Sequence, residues 1–291
     1  MAEGANPFEE PLDKRLTPRP NPDKIHMLKL KAMLESALEN YTDKAPSLQN
    51  AIDIFSGEWS SRVPDAINTG AADLFADPRV EYWISQTRSY FNGKKIGQLV
   101  ALELGPLEGA HSLMFEHAGW QVTSIESNYR AFLKTLIVYN HFRLRAVAMY
   151  GDFNPYLALA ETPIFDFISA SGVLYHMKNP ILSIDLILNK CNSVGIWTHF
   201  VTEDFMASSP GRWHREAIQI GNNSYTGYKQ YYGEGLGSNR FCGGGQDYAI
   251  WLTQDQIIER LSINGFKTHV GNVILDHPNG PCITLHASRI L

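Results

Sequence analysis

Three carboxylates stand at the ends of consecutive apolar runs, and each could hold a different part of a polar ligand. Glu103 lies near the end of QLVALELG, Glu126 ends WQVTSIE, and Asp152 follows RAVAMYG. Between the first two lies the turn Gly105-Pro106-Leu107-Glu108-Gly109. Glycines there let backbone approach a ligand closely, and the helix start that follows offers unpaired N–H groups. Glu126 is 21 residues beyond Gly105, about where an acid holds a ribose diol in a doubly wound nucleotide fold. The turn lacks the middle glycine of GxGxxG, so it makes no room for a pyrophosphate. Glu103 and Glu108 would repel phosphate and attract an ammonium or sulfonium ion; S-adenosylmethionine carries both charges and no phosphate. Asp152 and Phe153 offer an acid and a ring to an adenine. A plain strand-to-helix turn explains the two glycines equally well.

For proton transfer, histidine is the commonest side chain. His176 follows the apolar run FDFISASG, His199 lies in IWTHFV, and His214 stands in a Gly- and Tyr-rich stretch. His176 is the first candidate for a general base and His199 the second; for either, the competing role is to orient a loop by hydrogen bonds. His199, Glu203, Asp204 and His214 match no metal-ligand spacing, and a solvated acidic turn explains the acids, so no metal site is expected. Neither a serine nucleophile elbow nor a phosphate-cradling loop is present.

These residues need a scaffold that brings strand ends together. From residue 96 onward the pattern alternates: QLVALELG, a helical segment at 109–118, WQVTSIE, YRAFLKTLIVYNHF, RAVAMYGDF, FDFISASG, ILSIDLILNK, VGIWTHFV. Strands alternating with helices of about 10–15 residues predict βαβ units and a parallel sheet. The expected fold is therefore α/β, a doubly wound Rossmann-like sheet over 96–291. Residues 1–95 are expected to form an N-terminal arm with five prolines in its first 23 residues, then a helical extension that includes KIHMLKLKAMLESALEN. Residues 202–250 break the rhythm and predict an irregular lid insertion. The rhythm returns in LTQDQIIERLSINGF, with Thr253 as N-cap and Gly265 as stop, and in two strand-like runs around HPNGP, whose Asn-Gly marks a hairpin turn.

The whole chain is 291 residues with a net charge of −5, 44% hydrophobic and 19% charged residues. That excludes a disordered chain and a coiled coil, and gives no global field drawing it to nucleic acid or anionic membrane. The start is polar and acidic, unlike a secretory signal, and the three cysteines form no metal or disulfide framework. A cytoplasmic protein is expected.

Taken together, Glu103-x-Gly105-x3-Gly109, Glu126, Asp152 and FDFISASGVLYHMKNP resemble the class I S-adenosylmethionine-dependent methyltransferases. SGVLYHMKNP, with the upstream Glu58-Trp59-Ser60-Ser61, is similar to the tRNA wobble-uridine carboxymethyltransferase branch and its uncharacterised bacterial relatives. The likeness covers roughly residues 54–201 well and 251–291 loosely. It implies S-adenosylmethionine as cofactor, held by Glu103, Gly105 and Gly109 at the methionine end. Glu126 would take the ribose and Asp152 with Phe153 the adenine, while Ser171, Tyr175 and Trp59 match further contact positions. Trp59 has a plain alternative as a core residue. The branch's lysine for carboxy-S-adenosylmethionine corresponds to Pro64 here, with Arg62 as the nearby substitute, so the ordinary cofactor is expected.

The insertion is expected to choose the acceptor. Tyr225, Tyr228, Tyr231, Tyr232, Phe241, Tyr248 and Trp251 offer ring faces, and Gly221, Gly227 and Gly243–Gly245 offer mobility, which suits closure over a small acceptor. The leading expectation is methyl transfer to an O or N atom of a small metabolite or natural product. A tRNA acceptor comes second, since Arg212, Arg215, Lys229 and Arg240 make a sparse basic track. An NAD-dependent oxidoreductase and a non-catalytic cofactor-binding protein stand behind these, and a homo-oligomer contact is the insertion's plainest alternative use.

Overall fold

The computed structural model describes residues 41–92, 99–221, 223–232 and 246–290. The expected helix over KIHMLKLKAMLESALEN, the chain around residue 96, and Arg240, Phe241 and Gly243–Gly245 lie outside the described residues. One compact unit spans Ser47–Leu291, so the segment at 47–92, expected as an extension, packs within the same unit as the sheet.

The sheet is built from β1 (Val100–Leu104), β2 (Gln121–Glu126), β3 (Val147–Tyr150), β4 (Phe165–Ser171), β5 (Cys191–His199), β9 (Phe266–Ile274) and β10 (Cys282–Arg289). The inserted strands β6 (His214–Ile220), β7 (Asn223–Tyr231) and β8 (Tyr248–Trp251) form a second sheet. The large sheet runs β3-β2-β1-β4-β5-β10-β9. The first five strands pair in parallel and β10 runs antiparallel to both neighbours. Strand order reverses between β1 and β4, and the crevice beyond that reversal is where such sheets bind ligands.

Helices α1 (Leu48–Asp53), α2 (Pro78–Tyr90), α3 (Ala110–His117), α4 (Tyr129–Phe142), α5 (Phe153–Ala158), α6 (Pro180–Asn189), α7 (Glu203–Ala207) and α8 (Gln254–Ile263) surround it. Alternation along β1 sends Leu102 and Leu104 into one layer and Leu99 and Ala101 into the other. In the first layer Ile181, Ile184 and Ile187 of α6 meet Ile257 and Leu261 of α8. In the second, Val80 and Trp83 of α2 join Phe115 of α3, whose ring stacks on Trp120 at 5.2 Å. Trp83 also donates its indole N–H to the Leu285 carbonyl at 2.9 Å, locking α2 onto β10. Thr253 caps α8 in a full capping box with Gln256, as its position predicts.

The insertion departs from expectation. Among its described residues it is regular rather than irregular: α7 leads into an antiparallel sheet, β6-β7-β8. Its glycine content hid the strand pattern, because Gly227 serves close packing rather than mobility. A Cβ there would stand 2.4 Å from Ile250 and 2.8 Å from Ile218, and both isoleucines belong to the main core. Backbone bonds fasten this sheet to the core. The Ile250 N–H donates to the Met177 carbonyl at 2.9 Å and the Val201 N–H to Leu252 at 3.0 Å.

Candidate active site

The carboxyl ends of β1 to β5 open into one cleft of about 1000 Å³, the size of a site for a nucleoside-sized ligand and more. Glu103, Gly105, Glu126, Asp152, Phe153, Ser171, Tyr175 and His176 all line it. Gly109, Trp59 and His199 are not among its lining residues.

The turn after β1 shows why glycine stands at its head. Gly105 has φ +64°, and a Cβ there would lie 2.9 Å from Val173 Cγ1 in the turn after β4. Gly109 caps α3 behind that turn, against the Tyr139 ring rather than the cleft.

Glu126 is fixed through both oxygens. Asn128 N–H donates to one at 2.7 Å and Leu107 N–H to the other at 3.2 Å. Each oxygen keeps a second lone pair, enough for the two hydroxyls of a diol. Burial pushes its pKa up against these backbone bonds. Glu103 is buried beside it and accepts a short hydrogen bond from Ser112 Oγ, with His111 Nδ1 at 3.8 Å. Its pKa is also raised by burial. Carboxylates in this condition gain most from a cationic partner, which removes the penalty on their charged form. Asp152 accepts the Asn154 N–H at 2.8 Å as the N-cap of α5 while still lining the cleft.

Glu108 does not face the cleft, which corrects the expectation of a second acid, beside Glu103, for a cation. It is fully buried, accepts the Ser60 and Ser61 N–H groups at 2.8 and 2.7 Å, and pairs with buried Lys134 at 2.8 Å. Lys134 also donates to the Glu58 carbonyl at 2.8 Å. This pair ties residues 58–61 to the glycine turn and to α4. Trp59 accordingly is a core residue: it is buried, donates its N–H to Ile52 O at 2.9 Å, and packs with Phe55, Val63 and Val138. Its neighbour Ser60 reaches the cleft instead. Arg62 points outward to Asp73.

A basic residue enters from α2, which sequence reasoning missed. Arg79 lines the cleft, lies 4.6 Å from the Trp197 ring centroid and forms a double hydrogen bond with Asp77. Burial alone would raise Asp77, but hydrogen bonds from His111 and Arg79 outweigh it and hold this carboxyl far below the usual range. The only sequence signal was Asp77-Pro78 as a helix start, which says nothing of a ligand.

The far wall is aromatic. Tyr175 meets Trp197, His199 and Trp251 edge-on at 5.9, 4.7 and 5.9 Å. His176 Nδ1 lies 2.8 Å from Tyr232 Oη. Burial and then the neighbouring His199 push His176 down to about 4, so it is a neutral imidazole at pH 7. His199 stands behind Tyr175, stacked 5.1 Å from Trp251, and its Nδ1–H donates to the Gly280 carbonyl at 2.8 Å. Burial lowers its pKa, with the backbone carbonyls opposing. His214, Glu203 and Asp204 do not join it: His214 packs on Tyr231, and both acids are exposed on α7.

No family model and no curated protein matches the sequence. Solved structures do. The N-terminal domain of EvdMO1 with SAH bound superposes with a TM-score of 0.61 at 19% identity, covering 85% of this chain and 100% of that one. The same domain in the presence of SAH and D-fucose gives 0.57 at 18%, covering 91% and 97%. Against whole EvdMO1 the values are 0.52 and 17%, over 83% of this chain and 46% of that one, so this chain spans less than half of it. The fold is thus a Rossmann-like sheet similar to that of the EvdMO1 N-terminal domain, with added N-terminal helices and an inserted sheet.

Proposed function

We propose that this chain is an S-adenosylmethionine-dependent methyltransferase acting on an O or N atom of a small molecule. One observation carries the reading. Glu126 stands at the end of β2 with both oxygens oriented by backbone N–H groups, one of them from the glycine turn after β1. That couples a ribose acceptor to the turn that would pass beneath the ligand. The residues present fit this cofactor: a side-chain-free position at Gly105, a buried acid, Glu103, for cationic charge and another, Glu126, for the diol, and no middle glycine for a pyrophosphate. The solved structures with SAH in a similar fold support the same choice.

In this reading Glu126 holds the ribose, Asp152 and Phe153 the adenine, and Glu103 the ammonium group. Ser171 and Tyr175 border the reacting end. When bound, the cofactor supplies an electrophilic methyl group. The protein's part is to place an acceptor in line with that methyl, within about 3–3.5 Å, and to keep water away with Trp197 and Tyr175. His176, neutral and held by Tyr232, is the general base for a hydroxyl or amine acceptor; a carboxylate acceptor needs none.

A small acceptor is favoured over tRNA by how the insertion's cations are used. Arg212 donates to Gln230 and lies 4.7 Å from the Trp213 ring centroid, and Lys229 pairs with Glu216 at 3.0 Å. Neither is left to track phosphates.

Calorimetric titration with S-adenosylhomocysteine tests the cofactor. Binding to the wild type, no binding of NADH, and loss of affinity in Glu126→Ala support the reading. Binding of NADH in place of S-adenosylhomocysteine overturns it.

A further inference from the structure

Beside the aromatic wall lie three side chains with metal-ligating atoms, drawn from three places in the chain. His199 ends β5, Cys282 opens β10, and His277 sits on the connection between β9 and β10. One nitrogen of each imidazole and the Cys282 sulfur all lie within 4.8 Å of one another. Among the described residues no other such group of three assembles. His199 and Cys282 are directly opposed across the antiparallel β5–β10 pair, which puts both side chains on one face of the sheet. His277 and Cys282 line the cleft.

From this geometry we propose that His199, His277 and Cys282 bind a divalent transition-metal ion of the zinc type at the acceptor end of the cleft.

The chemistry of the donors points there. One thiolate with two imidazoles suits zinc and its softer neighbours, and disfavours magnesium or calcium. Three protein ligands leave a fourth tetrahedral position for water or substrate, the pattern of catalytic rather than structural zinc. His199 already has the supporting bond that metal-bound histidines use: its Nδ1–H donates to the Gly280 carbonyl at 2.8 Å, fixing the ring and leaving Nε2 unprotonated. Cys282 is buried and free of any disulfide.

The cluster must tighten to take the ion. With Zn–N near 2.0 Å and Zn–S near 2.3 Å, two nitrogens and one sulfur in a tetrahedral shell stand roughly 3.3–3.5 Å apart. A span of 4.8 Å therefore closes by roughly 1.3–1.5 Å. His277 Nδ1 accepts the Asn279 N–H at a long 3.2 Å, a bond that coordination through that nitrogen replaces.

Metal binding stands on these three residues alone, whereas its use rests on the methyltransferase reading. An acceptor hydroxyl in the fourth position would release its proton to solvent on binding the ion. Its oxygen lone pair then forms the new O–C bond as the methyl–sulfur bond breaks, and the thioether leaves. The ion would thus supply what His176 supplies to an acceptor that does not reach it.

The test uses the full-length protein, stripped with chelator and titrated with Zn²⁺ alone, then with Co²⁺ as a spectroscopic probe. The expected result is one equivalent of tightly bound zinc and a thiolate-to-cobalt charge-transfer band. His277→Gln should weaken zinc binding by more than about 100-fold, beyond the 10- to 100-fold of an outer-shell change, and Cys282→Ser should abolish the cobalt band. Should Cys282→Ser fail to fold, the wild-type band and His277→Gln decide the matter. No stoichiometric zinc, no thiolate band, or wild-type affinity in His277→Gln overturns the site. S-Adenosylhomocysteine titration of the same samples separates the two claims: zinc without nucleoside binding keeps the site and removes the methyltransferase reading, and the converse removes only the metal.

Discussion

The two ends of the cleft are built by opposite means. The end over β1, β2 and β3 uses acids fixed by backbone N–H groups and by a neighbouring serine, at positions set by the strand ends themselves. The end over β4, β5 and β10 uses rings packed on rings, with imidazoles among them. Hydrogen bonds from adjacent backbone make the first end local in sequence. Ring packing makes the second depend on chain returning from far along the sequence, as where the His199 ring lies 5.0 Å from that of His277. The first end suits a ligand that does not vary, the cofactor. The second suits whatever acceptor the chain has come to serve.

Several substitutions break or sharpen that division. The largest effect is expected at the foundation of the first end, the buried Lys134–Glu108 pair. Lys134→Met leaves Glu108 buried without its cationic partner and should cost about 3–5 kcal/mol of stability, read as a lower urea midpoint. A loss within half a kilocalorie would mean that residues 58–61 do not depend on this pair.

Next comes His176→Asn, which should cut methyl transfer to a hydroxyl or amine acceptor roughly 100-fold and leave S-adenosylhomocysteine affinity nearly unchanged. An equal loss in both would erase the distinction between the two ends.

A third effect appears in pH. His286 is buried under α2 and its pKa is pushed down to about 3, first by burial and then by His269. The unfolded chain binds a proton near pH 6.5 that the folded chain refuses, so stability is full above that pH. It should fall as pH drops from about 6.5 towards 3, by up to about 1.4 kcal/mol per pH unit for this group. His176 adds to the slope down to about pH 4. Unfolding midpoints measured across that range should flatten by one proton's worth in His286→Gln.

Smallest is Thr253→Ala, which removes the capping box of α8 on the side away from the acids of the first end. About 1 kcal/mol of stability should go, with nucleoside affinity untouched.

The contrast between the ends also explains what could be read from sequence. Glu103, Gly105, Glu126 and Asp152 were legible because strand ends and turns recur at fixed spacing, and the structure brings all four to the cleft. The elements from β1 to α6 followed from hydrophobic periodicity, Tyr129–Phe142 among them, except the short α5, which lies between two expected strands where no helix was expected. Glu108 was misread because spacing cannot tell which way a turn residue points; it turns inward to Lys134. Trp59 was misplaced for a similar reason, since an aromatic's partners at Ile52 and Val138 are tertiary. The β6-β7-β8 sheet was hidden by glycines that serve packing. Arg79 and His277 stand in stretches that nothing marks as part of the cleft, and Trp197, two residues from the candidate His199, reads from sequence as an ordinary strand aromatic.

The most direct test of the central claim is the affinity for S-adenosylhomocysteine in wild type and in Glu126→Gln, which keeps the shape and removes the charge. Charge-assisted hydrogen bonds of about 1.5–3 kcal/mol predict a loss of roughly 10- to 150-fold with the fold intact. Equal affinity in the two proteins, or no binding in either, would contradict the account.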